Sequence, residues 1–213
     1  HRDMEKLQSL LKTYNNVHPE DVKLASWHKQ YCVTPFPKYW EVVYSILSNL
    51  DKSNKVVEVG CGLGDVSVIM YYLGFNDVVS FEREPVLAER TRQRIKEILS
   101  VDANVKNDVF PNGVSCKADV LILVNCAHRE YADSKEDYLS LIRSYYEVVG
   151  KPRYFIWEVI DDSYKEVDED FPEYLRLNEE CVRGLFPKSR ITSWVTYSYP
   201  INKRSKTLYL IEK

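Results

Sequence analysis

The chain has 213 residues, 45% hydrophobic and 29% charged, with a formal net charge of −3 and a pI near 5.9. That length allows one sizeable core, or one domain with an appended cap. The mildly acidic balance leaves no electrostatic case for non-specific binding to nucleic acid or to a membrane surface.

Residues 3–15 (DMEKLQSLLKTYN) place Met4, Leu7, Leu10, Leu11 and Tyr14 at helical spacing. Residues 20–29 suit a second short helix. Pro35 and Pro37 break the chain, and a helix restarts over residues 38–50, where Trp40, Val43, Ile46 and Leu47 recur at steps of three and four. These helices form the expected N-terminal cap, residues 1–54. From Lys55 the pattern changes. KVVEV is a short apolar run ending in glycine, as a buried strand would be. DVSVIMYYLG is a helix closed by Gly74. DVVSF is a second strand, and residues 84–99 are a helix with Pro85 at a permitted early position.

NVKNDVF is a short third strand, and ADVLILVN is the most apolar strand in the chain. Residues 135–149 form a helix stopped by Gly150 and Pro152; RYFIWEVI is the next strand, and residues 172–185 read as one helix. RITSWVTYSYP and KTLYLIEK alternate as strands do, joined by the polar turn INKRS. The acidic run DDSYKEVDED, residues 161–170, is placed on a surface loop. Alternating strands and helices imply right-handed crossovers and a parallel sheet. The final two strands have no helix between them, so they are expected to pair antiparallel. The fold class is therefore α/β: a doubly wound, seven-stranded, mostly parallel sheet over residues 55–213, with an antiparallel C-terminal hairpin and helices on both faces.

Five cysteines, Cys32, Cys61, Cys116, Cys126 and Cys181, are scattered without CxxC pairs or Cys/His clusters. This supports neither a disulfide framework nor a structural zinc site. Free thiols in a reducing cytoplasm are the expectation. No run of about 18 apolar residues exists to span a membrane, and HRDMEK lacks the apolar stretch of a signal peptide.

Three of the seven glycines, Gly60, Gly62 and Gly64, stand within five residues at the end of the first strand. In a doubly wound sheet, ligands sit beyond the carboxyl ends of the strands. Gly60 permits the turn, Gly62 the approach of a ligand to the backbone, and Gly64 close packing of the following helix. A dinucleotide fingerprint needs G-x-G-x-x-G, but Asp65 occupies the third glycine's place. No Gly-Lys-Ser/Thr follows, so a P-loop is also excluded. Glu58 is a carboxylate inside an apolar strand end, a costly placement unless it binds something: a cationic ligand, or the loop's own amides. Glu82 ends the second strand and suits the two hydroxyls of a ribose, beside Arg83. Asp108 suits an exocyclic amine, with Val109 or Phe110 covering an aromatic ring.

The combination VVEVGCGLG, Phe81-Glu82, Asn107-Asp108 and a terminal strand pair resembles the class I S-adenosylmethionine-dependent methyltransferases. The resemblance implies a Rossmann-like fold with S-adenosylmethionine as methyl donor. The loop of Gly60, Cys61, Gly62 and Gly64 would pack against its methionine part, with Glu58 nearby. Glu82 would hold the ribose and Asp108 the adenine amine. The family's last strand is antiparallel, in agreement with the hairpin argued independently.

Methyl transfer is an in-line displacement, so the enzyme must chiefly align donor and acceptor. The place to look is NCAHREYADS after the fourth strand. His128 is the candidate base, having an ordinary pKa near neutrality. Asn125 and Tyr131 are candidates to orient substrate, and Asn125 also cofactor. NCAHRE does not match the Asn/Asp-Pro-Pro-aromatic motif of nucleic-acid amino-methyltransferases. The scattered Asp133 and Asp137 do not make a metal set, so no metal is expected. Glu158 interrupts an apolar strand, either as a site residue or as a paired structural charge. Trp27, His28, Tyr31, Phe36, Tyr39 and Trp40 cluster before the first strand, to pack the cap or shape a pocket. The basic turn residues 202–206 (NKRSK) are read as a solvated hairpin tip, the alternative being contact with a phosphate or carboxylate of a substrate. The expected function is methyl transfer to a hydroxyl or amine of a small metabolite or biosynthetic intermediate, without nucleic acid or membrane. The alternatives are an RNA or protein methyltransferase and a non-catalytic binding subunit of the same fold.

Overall fold

A computed structural model describes residues 2–24, 36–126, 132–163, 171–198 and 205–213. Its strands are β1 (Val56–Val59), β2 (Val78–Phe81), β3 (Val105–Lys106), β4 (Val120–Leu123), β5 (Tyr154–Ile160), β6 (Arg190–Tyr197) and β7 (Lys206–Glu212). They form one seven-stranded sheet in the order β3-β2-β1-β4-β5-β7-β6. The pairs β1·β2, β2·β3 and β4·β5 are parallel, whereas β7 runs antiparallel to both β5 and β6. This is the α/β Rossmann-like architecture expected from the sequence, with the C-terminal pair antiparallel. By its internal contacts the chain divides into two compact units, residues 1–112 and 113–213.

Among its described residues the first unit holds β1–β3 and five helices: α1 (Arg2–Val17), α2 (Asp21–Leu24), α3 (Lys38–Ser48), α4 (Asp65–Leu73) and α5 (Pro85–Leu99). Strands β1 and β2 are buried at every position, which is why they read as unbroken apolar runs. Helix α1 buries Leu7, Leu11 and Tyr14, one stripe at helical spacing, and packs on α5. Helix α3 buries Tyr39, Trp40, Val42, Val43, Ile46 and Leu47 and packs on α4. Each fully buried side chain of this kind contributes roughly 1.5–3 kcal/mol. Gly74, at φ 99, closes α4 in the left-handed conformation.

The second unit holds β4–β7, α6 (Lys135–Val148), a 3₁₀ turn (Glu173–Leu175) and α7 (Glu179–Leu185). Leu121, Ile122, Phe155, Ile156, Trp157 and Leu208 are fully buried in its sheet. The rings of Phe155 and Trp157 stack 5.6 Å apart, with Phe186 edge-on to Phe155. Ser134 caps α6 by accepting from the Asp137 amide, and Asn178 caps α7 by accepting from the Cys181 amide.

The structure departs from the single helix expected over residues 172–185. Leu177 donates its amide to the Ile160 carbonyl at the end of β5, and the buried Arg176 donates to the Phe171 carbonyl at 3.3 Å. These two bonds, the first of them tertiary, accompany extended backbone at Arg176 and Asn178, and helix resumes only at Glu179. Among the described residues, no helix is long and apolar enough to cross a membrane.

Candidate functional site

The glycine loop follows β1. Gly60, Gly62 and Gly64 all adopt left-handed φ angles of 66°, 59° and 79°, so each uses the freedom that glycine alone has without strain. Gly64 also has no room for a side chain. A Cβ there would lie 2.4 Å from the Thr91 methyl on α5. The loop closes on itself through the Gly64 amide, which donates to the Cys61 carbonyl at 2.8 Å, and enters α4 through Val68, which donates to the Gly64 carbonyl.

Two carboxylates bracket this loop. Glu82 directly follows β2 and is buried. Its Oε1 accepts from the Gly62 amide and its Oε2 from the Glu84 amide, each at 2.9 Å. An ionised carboxylate has about four acceptor positions, so both oxygens keep capacity for a further donor. Glu58 lies in β1 and is only 4% exposed. Its Oε1 accepts from Ser80 at 2.7 Å and from Ser67. Burial pushes the Glu58 carboxyl up to about 7; the serine hydroxyls oppose the rise, and the charges of Asp65 and Glu82 add to it.

Asn107 and α5 brace the loop. Asn107 donates to the backbone carbonyls of Glu82 and Arg83, both at 2.9 Å, and Thr91 donates to the Gly62 carbonyl at 2.7 Å. Arg94, fully buried, donates to the Leu63 carbonyl and to Oδ1 of Asp65 at 3.1 Å. Sequence reading passed over Thr91 and Arg94. Their signal was position: both fall on the face of α5 that buries Leu87, Ala88 and Ile95, where a polar side chain needs a partner.

The remaining expected cofactor residues differ in setting. Cys61 packs with Ala88 and Val105 in a small apolar cluster. Arg83 is exposed, 3.7 Å from Glu84. Asp108 and Val109 are exposed beyond the end of β3, while Phe110 is buried with its ring edge-on to Phe81 at 5.2 Å. Among the described aromatic residues before β1, Phe36 and Tyr39 both pack edge-on against Trp40 and all three are buried. Trp27, His28 and Tyr31 lie outside the described residues.

In the second unit, Asn125 stands just after β4 with φ 56, a conformation that asparagine tolerates better than most residues. Its Oδ1 accepts from the Lys206 ammonium at 2.6 Å. Lys206 is buried and also contacts Oε1 of Glu158 at 3.3 Å, while Oε2 of Glu158 accepts from Thr196 at 2.7 Å. A register shift between Val195 and Tyr197 leaves Thr196 unpaired in the β6·β7 ladder, and such a bulge re-aims a side chain. Lys206 is thus the buried first residue of β7 rather than part of a solvated tip, and Glu158 is a paired charge. His128 and Tyr131 lie outside the described residues. Among the described residues, no three His, Cys, Asp or Glu side chains converge as a metal site.

No protein-family model and no curated protein sequence matches the chain. Solved structures do. Magnesium protoporphyrin IX methyltransferase from Synechocystis PCC 6803, with bound SAH, is 17% identical, covers 97% of this chain and 99% of its own, and superposes with a TM-score of 0.64. The chain has the class I methyltransferase fold. An O-methyltransferase from Bacillus cereus in complex with SAH is 15% identical, with a TM-score of 0.61 and coverage of 96% of this chain and 91% of its own. The M. jannaschii tRNA m1G37 methyltransferase is 13% identical, with a TM-score of 0.58, over 83% of this chain and 50% of its own.

Proposed function

We propose that this chain is an S-adenosylmethionine-dependent methyltransferase whose acceptor is a hydroxyl or amine of a small metabolite or biosynthetic intermediate. The observation that carries the reading is the Glu82 carboxylate, anchored to the Gly62 and Glu84 amides with acceptor capacity remaining on both oxygens. A preorganised bidentate acceptor at the end of β2 fits a vicinal diol such as a ribose. The charge pattern fits a cationic ligand. Asp65 and Glu82 stand near the loop and add to the rise that burial gives the Glu58 carboxyl, while Arg94 offsets Asp65.

In this reading the backbone of Gly60, Cys61, Gly62 and Gly64 borders the amino-acid part of the cofactor, with the Glu58 carboxyl nearby. Glu82 takes the ribose, beside Arg83. Asp108 receives the adenine amine, with Val109 and Phe110 against the ring. The cofactor supplies an activated methyl group on a sulfonium; the protein supplies alignment and a dry site. Asn125, whose Oδ1 accepts from Lys206, is assigned to orient cofactor or substrate. His128 removes the acceptor's proton and Tyr131 orients the acceptor.

The acidic balance supports a small acceptor. Among the described residues Cys61, Cys116, Cys126 and Cys181 are in no disulfide, which fits a reducing cytoplasm. Calorimetric titration with S-adenosylhomocysteine tests the reading. The wild type should bind, and Glu82→Ala should bind at least about tenfold more weakly, the scale of losing charge-assisted hydrogen bonds. A wild type that binds nothing overturns the cofactor assignment, and an unchanged affinity in the variant overturns the role of Glu82. Screening small hydroxyl and amine compounds, and bulk tRNA, for gain of one methyl by mass then decides the acceptor class.

A further inference from the structure

We propose that Arg94 is the positioning residue of the glycine loop and that, through Asp21, it couples the N-terminal helices to cofactor binding. The inference rests on the methyltransferase reading above. Arg94 sits on the apolar face of α5 with 1% of its side chain exposed. A guanidinium so placed is costly unless it is paired on every side. Its Nη1 donates to the Leu63 carbonyl and to the Asp65 carboxylate. Those two residues flank Gly64, where the chain turns through φ 79 into α4. One side chain therefore grips the loop on both sides of its left-handed glycine.

The other side of the guanidinium faces the N-terminal helices. Nε lies 3.6 Å from Oδ2 of Asp21, the buried first residue of α2. Oδ1 of Asp21 lies 3.2 Å from Nη1 of Arg90. The Tyr14 ring of α1 lies 5.3 Å from the Arg94 guanidinium carbon, and burial, followed by the Asp21 carboxylate, pushes the Tyr14 hydroxyl up to about 12. Nε of Arg94 is buried at ion-pair distance from Asp21, without a directed hydrogen bond. The contact toward Asp21 is thus looser than the one toward the loop.

Any ligand that fixes the loop fixes Arg94, and with it the charge that Asp21 faces. By linkage the effect is reciprocal: docking of α1 and α2 strengthens ligand binding by the factor through which the ligand strengthens docking. Arg94 acts through the loop backbone rather than by touching the ligand.

Three measurements with S-adenosylhomocysteine on the full chain test this. Calorimetry on Arg94→Lys, which keeps the charge but loses the fork geometry, should give a dissociation constant about tenfold higher, on the scale of one charge-assisted hydrogen bond. Asp21→Asn, which keeps shape but removes the charge, should raise it about three- to tenfold and carries the test alone if Arg94→Lys does not fold. Hydrogen exchange should show the ligand slowing residues 2–24 in the wild type but not in Asp21→Asn, while β1 is slowed in both. A merely structural role for Asp21 would lower the thermal transition and leave affinity and protection pattern unchanged. That result overturns the coupling and leaves the methyltransferase reading standing. A wild type that does not bind S-adenosylhomocysteine overturns both.

Discussion

The Lys206 ammonium donates to Oδ1 of Asn125 across 2.6 Å, joining residues 81 apart in sequence. The same ammonium lies 3.3 Å from Glu158, so the first residue of β7 ties the segment after β4 to β5. Lysine has donors only, which fixes the orientation of the Asn125 amide: its oxygen faces Lys206, and its NH₂ faces away.

Removing one member of this buried pair leaves the other uncompensated. Lys206→Met is expected to cost about 3–5 kcal/mol of stability, measured by denaturant unfolding. Lys206→Met combined with Glu158→Leu is expected to be less destabilised than Lys206→Met alone, because no charge is then left buried. A double variant as unstable as the sum of its singles refutes the pairing.

Lys206 also shows where sequence reading stops. NKRSK is locally polar and flanked by a turn, so the residues alone place it in solvent. Its partners, Glu158 and Asn125, are 48 and 81 positions away, beyond any local period. The strands β1, β2 and β4 were legible for the opposite reason: each is buried along its whole length and reads as a bare apolar run. The glycine loop was legible because left-handed turns leave a compositional mark. The split of residues 172–185 was not, because the bond from Leu177 to Ile160 is tertiary.

Asn107 and Asp108 give a sharper case. The sequence drew attention to Asp108, whose side chain is exposed. The structure gives Asn107 two hydrogen bonds, to the Glu82 and Arg83 carbonyls. Asn107→Ala is expected to cost about 1 kcal/mol in unfolding experiments. It should also weaken S-adenosylhomocysteine binding several-fold in calorimetry, because the backbone carrying Glu82 loses its brace. Wild-type affinity in this variant contradicts the bracing role.

The glycines separate conformation from space. Gly74 has φ 99, but a Cβ there would meet nothing within 4 Å, whereas Gly64 has φ 79 and the Thr91 methyl at 2.4 Å. Gly74→Ala is expected to cost about 1 kcal/mol for the left-handed conformation alone. Gly64→Ala adds a clash against α5 and should cost about 3 kcal/mol or more, with loss of S-adenosylhomocysteine binding. Thermal unfolding of the two variants side by side checks the ranking, and equal losses contradict it.

Glu58 makes stability depend on pH in a direction opposite to that of most carboxylates. Its carboxyl is pushed from 4.5 to about 7, chiefly by burial. Between those values the folded chain holds a proton that the unfolded chain has released. The contribution is therefore fully present below about 4.5 and is lost as pH rises through about 7. Its size is on the order of 3 kcal/mol. Glu58→Gln carries no such proton, so the stability difference between wild type and variant should fall across that window and level off above it. Urea unfolding of both proteins at half-unit pH steps measures this, with other titrating groups cancelling in the difference. A difference that stays flat across the window contradicts a neutral Glu58 in the folded protein. A difference that rises instead means that the carboxylate form is held, and that Ser67 and Ser80 outweigh burial.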